Sequence, residues 1–378
     1  MKIKEFKSGQ WVSQYQYKSF NPNRINHSWL IDDEQLSYLL SRANIFLGEL
    51  NAFSTLVPNV DFFIKMHITK EASDSSRIEG TQTNMEEALQ KVQNINPEKR
   101  DDWQEVENYV TAMNTAIEEL NRLPLCNRLL KQTHAVLLQN VRGENKFPGE
   151  FRTSQNWIGG TSVNDAVFIP PHPSEVVDLM SDLELFLQNK NIFVPDLIKI
   201  AIAHYQFETI HPFCDGNGRI GRLLITLYLV NERILYKPTL YLSDFFCKNK
   251  TLYYDNLMMV RHNNNLQQWL RFFLEGVIQT AENSIETFQS IIAMKAQIER
   301  DKITKLGKKT KMAQQFLLYL FGQPIVDTDD VVKEFNINKT TALRLINDFI
   351  ELKILKEKTG FKRNRIFMFE NYIRLFES

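Results

Sequence analysis

Twelve consecutive residues, His211-Pro-Phe-Cys-Asp215-Gly216-Asn217-Gly218-Arg219-Ile-Gly-Arg222, place a base, a carboxylate, a glycine-rich turn and two arginines together. Gly216, Asn217 and Gly218 can take backbone angles closed to most residues, which lets the turn's N–H groups converge on one spot. If a helix starts directly after them, that spot also faces unpaired first-turn donors and the positive end of the helix dipole, so it binds anions. Arg219 and Arg222 stand at i and i+3, so both guanidiniums reach the same oxyanions. Cations at a helix N-terminus oppose the dipole, so folding alone does not account for them. Asp215 adds a hard oxygen ligand of the kind a divalent cation on a polyphosphate takes. His211, one short loop away, has the chemistry of a general base near neutral pH. Taken singly, a histidine beside a proline is usually structural and Asp-Gly-Asn-Gly is usually a turn. Their joint spacing is harder to read as punctuation.

A helix–loop–helix must position this run. An apolar helical stretch, 197–207, leads into Pro212, and a second, 220–230, follows the glycines. The 378 residues can hold two or three domains with a full core. Lys plus Arg and Asp plus Glu balance at 45 each, so no global field favours nucleic acid or a membrane surface. The three cysteines, Cys126, Cys214 and Cys247, have neither metal-ligand spacing nor a disulfide framework, which suits a reducing compartment. No signal-peptide core and no apolar run of about 18 residues occurs, so a cytoplasmic protein without a membrane partner is expected.

The run His211 to Arg222 resembles the signature of the Fic family, His-x-Phe-x-Asp/Glu-Gly-Asn-Gly-Arg-x-x-Arg, at every specified position. The resemblance implies transfer of a nucleoside monophosphate, typically AMP from ATP, onto a Ser, Thr or Tyr hydroxyl of a target protein or of the chain itself. It makes His211 the base that deprotonates that hydroxyl and Asp215 the ligand of Mg²⁺ on the phosphates. Gly216, Asn217 and Gly218 become the anion-hole amides, Arg219 a phosphate contact, Arg222 the partner of the γ-phosphate, and Phe213 a buried anchor. Such transfer needs in-line oxygens and charge neutralised by metal, amides and arginine.

The implied architecture is mainly α: a Fic-type helical core with a small β-hairpin flap, plus a C-terminal winged-helix domain. Residues 1–30 read as an irregular aromatic arm, and helical periodicity starts at Asp33 and resumes from Phe62 to Ala72, giving an N-terminal helical domain over 1–100. Within it, Ser76 to Glu79 and Thr83 to Glu86 both have capping-box spacing. The same stretch, Ser75-Ser-Arg-Ile-Glu79-Gly80, resembles the family's inhibitory motif Ser/Thr-x-x-x-Glu-Gly/Asn. A carboxylate paired with Arg222 removes the cation meant for the γ-phosphate. With the signature in place, the brake is favoured over the cap for segment 75–80.

The catalytic core is expected over 101–300, with helices 103–120, 128–141, 174–187 and 195–210. His134 reads as a packed core residue, and His204, seven residues before His211, as a hydrogen-bonded helix residue rather than a metal ligand. Residues 150–160 and 166–173 read as two short strands, and their position resembles the flap on which family members dock a target segment by strand addition. Tyr253 and Tyr254 fall where the family places an aromatic wall for adenine, ordinary packing being the other reading. A helix from Leu266 extends toward Ile303, and the basic tract 301–311 reads as a linker. Residues 312–378, three helices and a basic hairpin, resemble a winged helix, with Lys339, Thr340, Thr341 and Arg344 opening its third helix and Lys362 and Arg363 in its wing. Such a domain contacts DNA or protein. The alternative is therefore a DNA-binding transcriptional regulator with a Fic-like nucleotide-sensing core. Whether the chain forms a homodimer, with Glu79 acting across it, is left open.

Overall fold

The computed structural model describes residues 1–56, 60–361 and 365–376. The sequence's most apolar helices sit at the centre. In chain order the elements are β1 (Gly9–Ser13), β2 (Lys18–Pro22), α1 (Glu34–Leu56), α2 (Val60–Ile78), α3 (Met85–Ala88), α4 (Arg100–Glu119) and α5 (Asn127–Leu137). Next come α6 (Val176–Gln188), α7 (Asp196–Ile210), α8 (Asn217–Asn231), α9 (Ser243–Lys248), α10 (Lys250–Asn263) and α11 (Leu266–Asp301). The C-terminal part adds α12 (Thr310–Gly322), β3 (Ile325–Asp327), α13 (Thr328–Phe335), α14 (Lys339–Glu351), β4 (Lys356–Glu357), β5 (Ile366–Met368) and α15 (Glu370–Ile373).

Every residue of α7 from Leu197 to Ile210 is buried, and α8 is buried through most of its length. A helix covered on all sides needs no polar face, which is why neither shows a clean amphipathic stripe. The signature loop thus joins the two helices with the least freedom to move. Trp269, on the long α11, is fully enclosed beside α7 and donates its indole N–H to the Ala201 carbonyl (2.8 Å).

Residues 75–78 of the segment 75–80 lie on α2, which is pinned along its length. The buried Glu71 carboxylate accepts from the Tyr109 hydroxyl (3.0 Å), the Ser243 hydroxyl (2.5 Å) and the Ser243 amide (3.1 Å). Ser73 donates to the Thr83 carbonyl (2.9 Å), and Lys250 caps the last turn through the Ile78 carbonyl (2.6 Å). Ser76 lies inside α2, so it caps no helix; the box that starts α3 is Asn84 with Glu87, one residue beyond the expected Thr83 and Glu86. Asparagine at the N-cap does the same work as threonine, and the box spacing alone does not choose between neighbouring registers.

Three further expectations are corrected. The arm 1–30 is not irregular: β1 and β2 pair antiparallel from Gly9↔Pro22 to Ser13↔Lys18, and Phe20 donates its amide to Ile169 (2.9 Å). The flap is thinner than two strands, a single rung between Ile158 and Phe168. Pro170 and Pro171 have no N–H to extend it, and the Asp165 carboxylate takes the turn amides of Thr161 and Ser162. The basic tract is not a free linker but a 3-10 segment, Ile303–Lys309, running directly into α12.

Beyond it, α12, β3, α13, α14, β4 and β5 form a helical unit with an antiparallel sheet in the order β3-β5-β4, the order of elements in a winged helix. Three-residue β3 is too short to have been read as a strand. Lys339 on α14 is paired with Asp329 (2.8 Å), while Lys362 and Arg363 lie outside the described residues. This unit rests on the N-terminal part: Lys91 stands 2.6 Å from both Asp327 and Asp330, and the Phe376 ring meets the buried His67 (5.0 Å). Among the described residues no helix is long and apolar enough to cross a membrane.

Candidate active site

The loop between α7 and α8 is shaped by two left-handed residues. His211 (φ 51°, ψ 61°) ends α7, and Gly216 (φ 73°) precedes α8. Glycine takes that angle freely, whereas a histidine holds it only when its surroundings insist. The helix after the loop begins at Asn217, three residues earlier than the apolar pattern suggests, so Gly218 and Arg219 form its first turn and only Gly216 of the three carries a positive φ.

Inside the loop, Asn217 is spent on structure. Its side chain accepts from the Phe213 amide and donates to the Phe213 carbonyl (both 2.8 Å), so it offers an anion only its backbone amide. The Phe213 ring is fully buried and stacks on His134 with centroids 3.8 Å apart and planes 9° from parallel. His134 accepts the Gly149 amide at Nδ1 (2.8 Å), which fixes the proton on Nε2, and Nε2 donates to the Asp215 carbonyl (2.9 Å). Burial, and to a lesser degree Arg219, push its pKa down to about 4, so it is a neutral strut under the loop. Sequence reading placed His134 in the core correctly. Its contact with Asp215, 81 residues away, left no local signal.

The charged residues group around the start of α8. Arg222 is enclosed; its Nε donates to the Ser75 hydroxyl (2.8 Å), and Nη2 donates to the Ser75 carbonyl (2.8 Å) and to Glu79 Oε1 (2.7 Å). Arg219, expected on phosphates, pairs here with the buried Glu105 (2.9 Å), with Asp215 at 3.8 Å. Asp215 leaves its side chain 44% exposed, one oxygen accepting the Gly216 amide (2.6 Å). Burial works to raise the Glu79 pKa, but the charge and hydrogen bond of Arg222, then Arg219 and His211, outweigh it and hold the carboxyl below its usual range. The Glu79 carboxylate also fills the space in front of Gly218: a Cβ there would meet Glu79 Oε1 at 2.2 Å. Gly80 (φ 109°) turns the chain away just after it.

Burial, then the nearby Arg261 and Arg152, push His211 down to about 3, and its Nδ1 has no partner. A neutral imidazole with an unengaged nitrogen can take up a proton. The paired tyrosines separate. Tyr253 is sealed in an aromatic cluster with its hydroxyl on His204 Nε2 (2.8 Å), which removes it as an adenine wall; Tyr254, 37% exposed, keeps a free face. His204 bonds at its other nitrogen to the Gly221 carbonyl (2.8 Å) and is no metal ligand.

Two family descriptions match this chain, Fic/DOC family N-terminal over residues 38–118 and Fic/DOC family over residues 124–229. The chain belongs to the Fic/DOC family. It is similar to a protein adenylyltransferase Fic of Aedes aegypti, 34% identical over 135 residues, which are 35% of this chain and 24% of that one. It is also similar to protein adenylyltransferase fic-1 of Caenorhabditis briggsae, 30% identical over 191 residues, 48% of this chain and 33% of that one. The matched stretches thus span a quarter to a third of these relatives' length. A crystal structure of a Fic family protein from Desulfovibrio desulfuricans G20 shares the fold, with a TM-score of 0.55 at 20% identity over 89% of this chain and 96% of that one. For this Fic/DOC protein the matched regions contain α2 with Glu79 and the whole signature loop.

Proposed function

We propose that this chain is a protein adenylyltransferase, transferring AMP from ATP to a protein hydroxyl, and that Glu79 restrains it. One observation carries the reading: Glu79 Oε1 lies 2.7 Å from the enclosed Arg222 guanidinium, in the space that only a glycine at 218 leaves open. A carboxylate settles where an anion is wanted, so this is the seat of a phosphate chain, and the side chain now in it is a competitor.

His211, held neutral, takes the proton of the attacking hydroxyl. The amides at the start of α8 and the Arg222 guanidinium face the charge of the transferring and leaving phosphates. Among the described residues no three His, Cys, Asp or Glu side chains gather into a metal site. A magnesium ion that arrives on a triphosphate needs little more than one carboxylate, and Asp215, half exposed beside the seat, fits that need. When bound, the ion would neutralise phosphate charge. Tyr254 is the ring available to an adenine.

The test is labelling of protein by ATP carrying its label on the α-phosphate, in wild type, Glu79→Gly and Glu79→Gly/His211→Ala. Label that rises in the second and vanishes in the third supports transfer; label entering from the γ-phosphate refutes it. A DNA-binding regulator would instead show salt-dependent DNA binding that survives His211→Ala, with no labelling by Glu79→Gly.

A further inference from the structure

Two arginines outside the signature meet at the end of α7. Arg152 is 3% exposed and has no carboxylate partner among the described residues; its donors go instead to backbone carbonyls. Nε donates to His211 (3.0 Å), Nη2 to Pro171 (2.6 Å) and Ile210 (3.3 Å), and Nη1 to Ser154 (3.2 Å), while its own amide donates to Pro212 (2.8 Å). Arg261, from α10, is equally enclosed. It donates to the Glu208 carbonyl (3.0 Å) and the Thr209 hydroxyl (3.2 Å), and its guanidinium lies 3.9 Å from the centroid of the Phe168 ring. Asn156 completes the set, donating to the carbonyls of His211 (3.1 Å) and Phe213 (3.0 Å).

The final carbonyls of a helix lack intrahelical donors and carry its negative end, so two buried cations there are well placed. What they join is less ordinary. Ser154 and Pro171 are the entry and exit of the flap and Phe168 is its one paired rung, while Ile210 and His211 are the last turn of α7 and the general base. The planar fork of Arg152 addresses both sides at once, which the single ammonium of lysine cannot do. It also accounts for the left-handed backbone at His211, a conformation that persists where surrounding bonds over-determine it.

We propose that Arg152, assisted by Arg261 and Asn156, is a positioning residue that fixes the His211 ring and the target-docking flap in one frame, so that base and incoming hydroxyl meet in register. This rests on the transferase reading. Misplacing a reacting group by about 1 Å costs roughly a hundredfold in rate, whereas the hydrogen bonds of Arg152 and Arg261 run to the end of α7 and to the flap and not to α8 or α2, which build the nucleotide seat. The charged groups that act on His211 are Arg261 and Arg152, which lower its pKa, and Glu79, which raises it. Losing either arginine therefore also lets the ring protonate more readily.

The experiment uses the full chain with Glu79→Gly as the parent. ATP affinity is measured by calorimetry, and kcat and the KM for ATP by α-phosphate labelling across pH, for Arg152→Gln, Arg152→Lys and Asn156→Ala. The expected result is a kcat lower by roughly thirty- to a hundredfold in both Arg152 variants, ATP affinity within twofold of the parent, and the acid limb of the pH profile moved upward in Arg152→Gln. Three results would each overturn the proposal: an unchanged kcat, a kcat and ATP affinity falling together, or full activity in Arg152→Lys. If Arg152→Gln does not fold, Asn156→Ala, which removes two bonds to the same turn, carries the test. A parent that binds ATP but labels nothing refutes the transferase reading instead. Positioning is then read from the His211 ring signals in carbon-13 histidine spectra, which should move on Arg152→Gln; if they stay in place, the proposal is wrong.

Discussion

Replacing Glu79 by glycine removes the carboxylate that stands between Arg222 and the space before Gly218. Its contact with Arg222 is a charge-assisted hydrogen bond of 2.7 Å to a guanidinium whose side chain is 1% exposed, but the Glu79 side chain is itself 35% exposed. Bonds of this kind contribute about 1.5–3 kcal/mol when enclosed, and solvent on one partner takes the figure toward about 2 kcal/mol. A seat blocked by that free energy is open in about one molecule in thirty, and apparent affinity for a ligand of the open form falls by the same factor. Glu79→Gly should therefore tighten ATP roughly thirtyfold in calorimetry. ADP should gain less, since the freed cation faces the terminal phosphate. Glu79→Gln, which keeps the shape and loses the charge, should fall between. Equal ATP affinity in wild type and Glu79→Gly would refute the competition argument, even if labelling changed for some other reason.

Other outcomes follow from the same geometry. Gly218→Ala should weaken ATP binding and also loosen the Glu79 contact, because the added Cβ stands 2.2 Å from Oε1; calorimetry and the acid dependence of Tm read the two effects separately. His211→Ala should abolish labelling while leaving Tm within a few degrees, since the bonds that hold this turn run to backbone carbonyls. Burial holds the pKa of His134 near 4 and those of His67, His204 and His211 near 3, against 6.5 when unfolded. The unfolded chain then binds more protons between those values, so stability is full above about pH 6.5 and falls as pH drops toward 4, by up to ~5 kcal/mol per pH unit if all four contribute. A denaturant series at pH 7, 6 and 5 checks the slope. The Glu79 contact has the carboxylate sign: its folded pKa is lowered, so its contribution is present above the usual carboxylate range and lost below it. The Tm difference between wild type and Glu79→Gln should accordingly close under acid.

Much of this molecule was readable from its residues, and the failures have physical causes. The helices 34–56, 100–119 and 176–188 follow from apolar periodicity, which burial enforces over many residues, and 196–210 from a continuous apolar stretch. The signature loop was visible because its chemistry lies within twelve consecutive residues. What escaped depends on distant partners or on very short elements. Arg152 looks like any charged residue beside a strand until the carbonyls of residues 210 and 211 arrive. Arg219 was assigned to phosphate because Glu105, which claims it, is 114 residues away. Tyr253 and Tyr254 are chemically identical, and only the helix orientation buries one and exposes the other. The β1–β2 hairpin was missed because Pro22, read as a break, ends a strand there.

The fixing of α2 has a consequence for how restraint is lifted. With Glu71, Ser73 and the Ile78 carbonyl all tied to neighbouring elements, the helix has little room to swing. On the proposed reading, release of Arg222 then falls to the torsions of the Glu79 side chain, just past the last turn of α2. Such a latch clicks between positions far faster than any domain can travel. The resting protein should therefore leak, with every molecule sampling the unlatched form for a few per cent of the time rather than a rare subset being fully switched on. Basal modification in single-molecule records would then be evenly spread across the population.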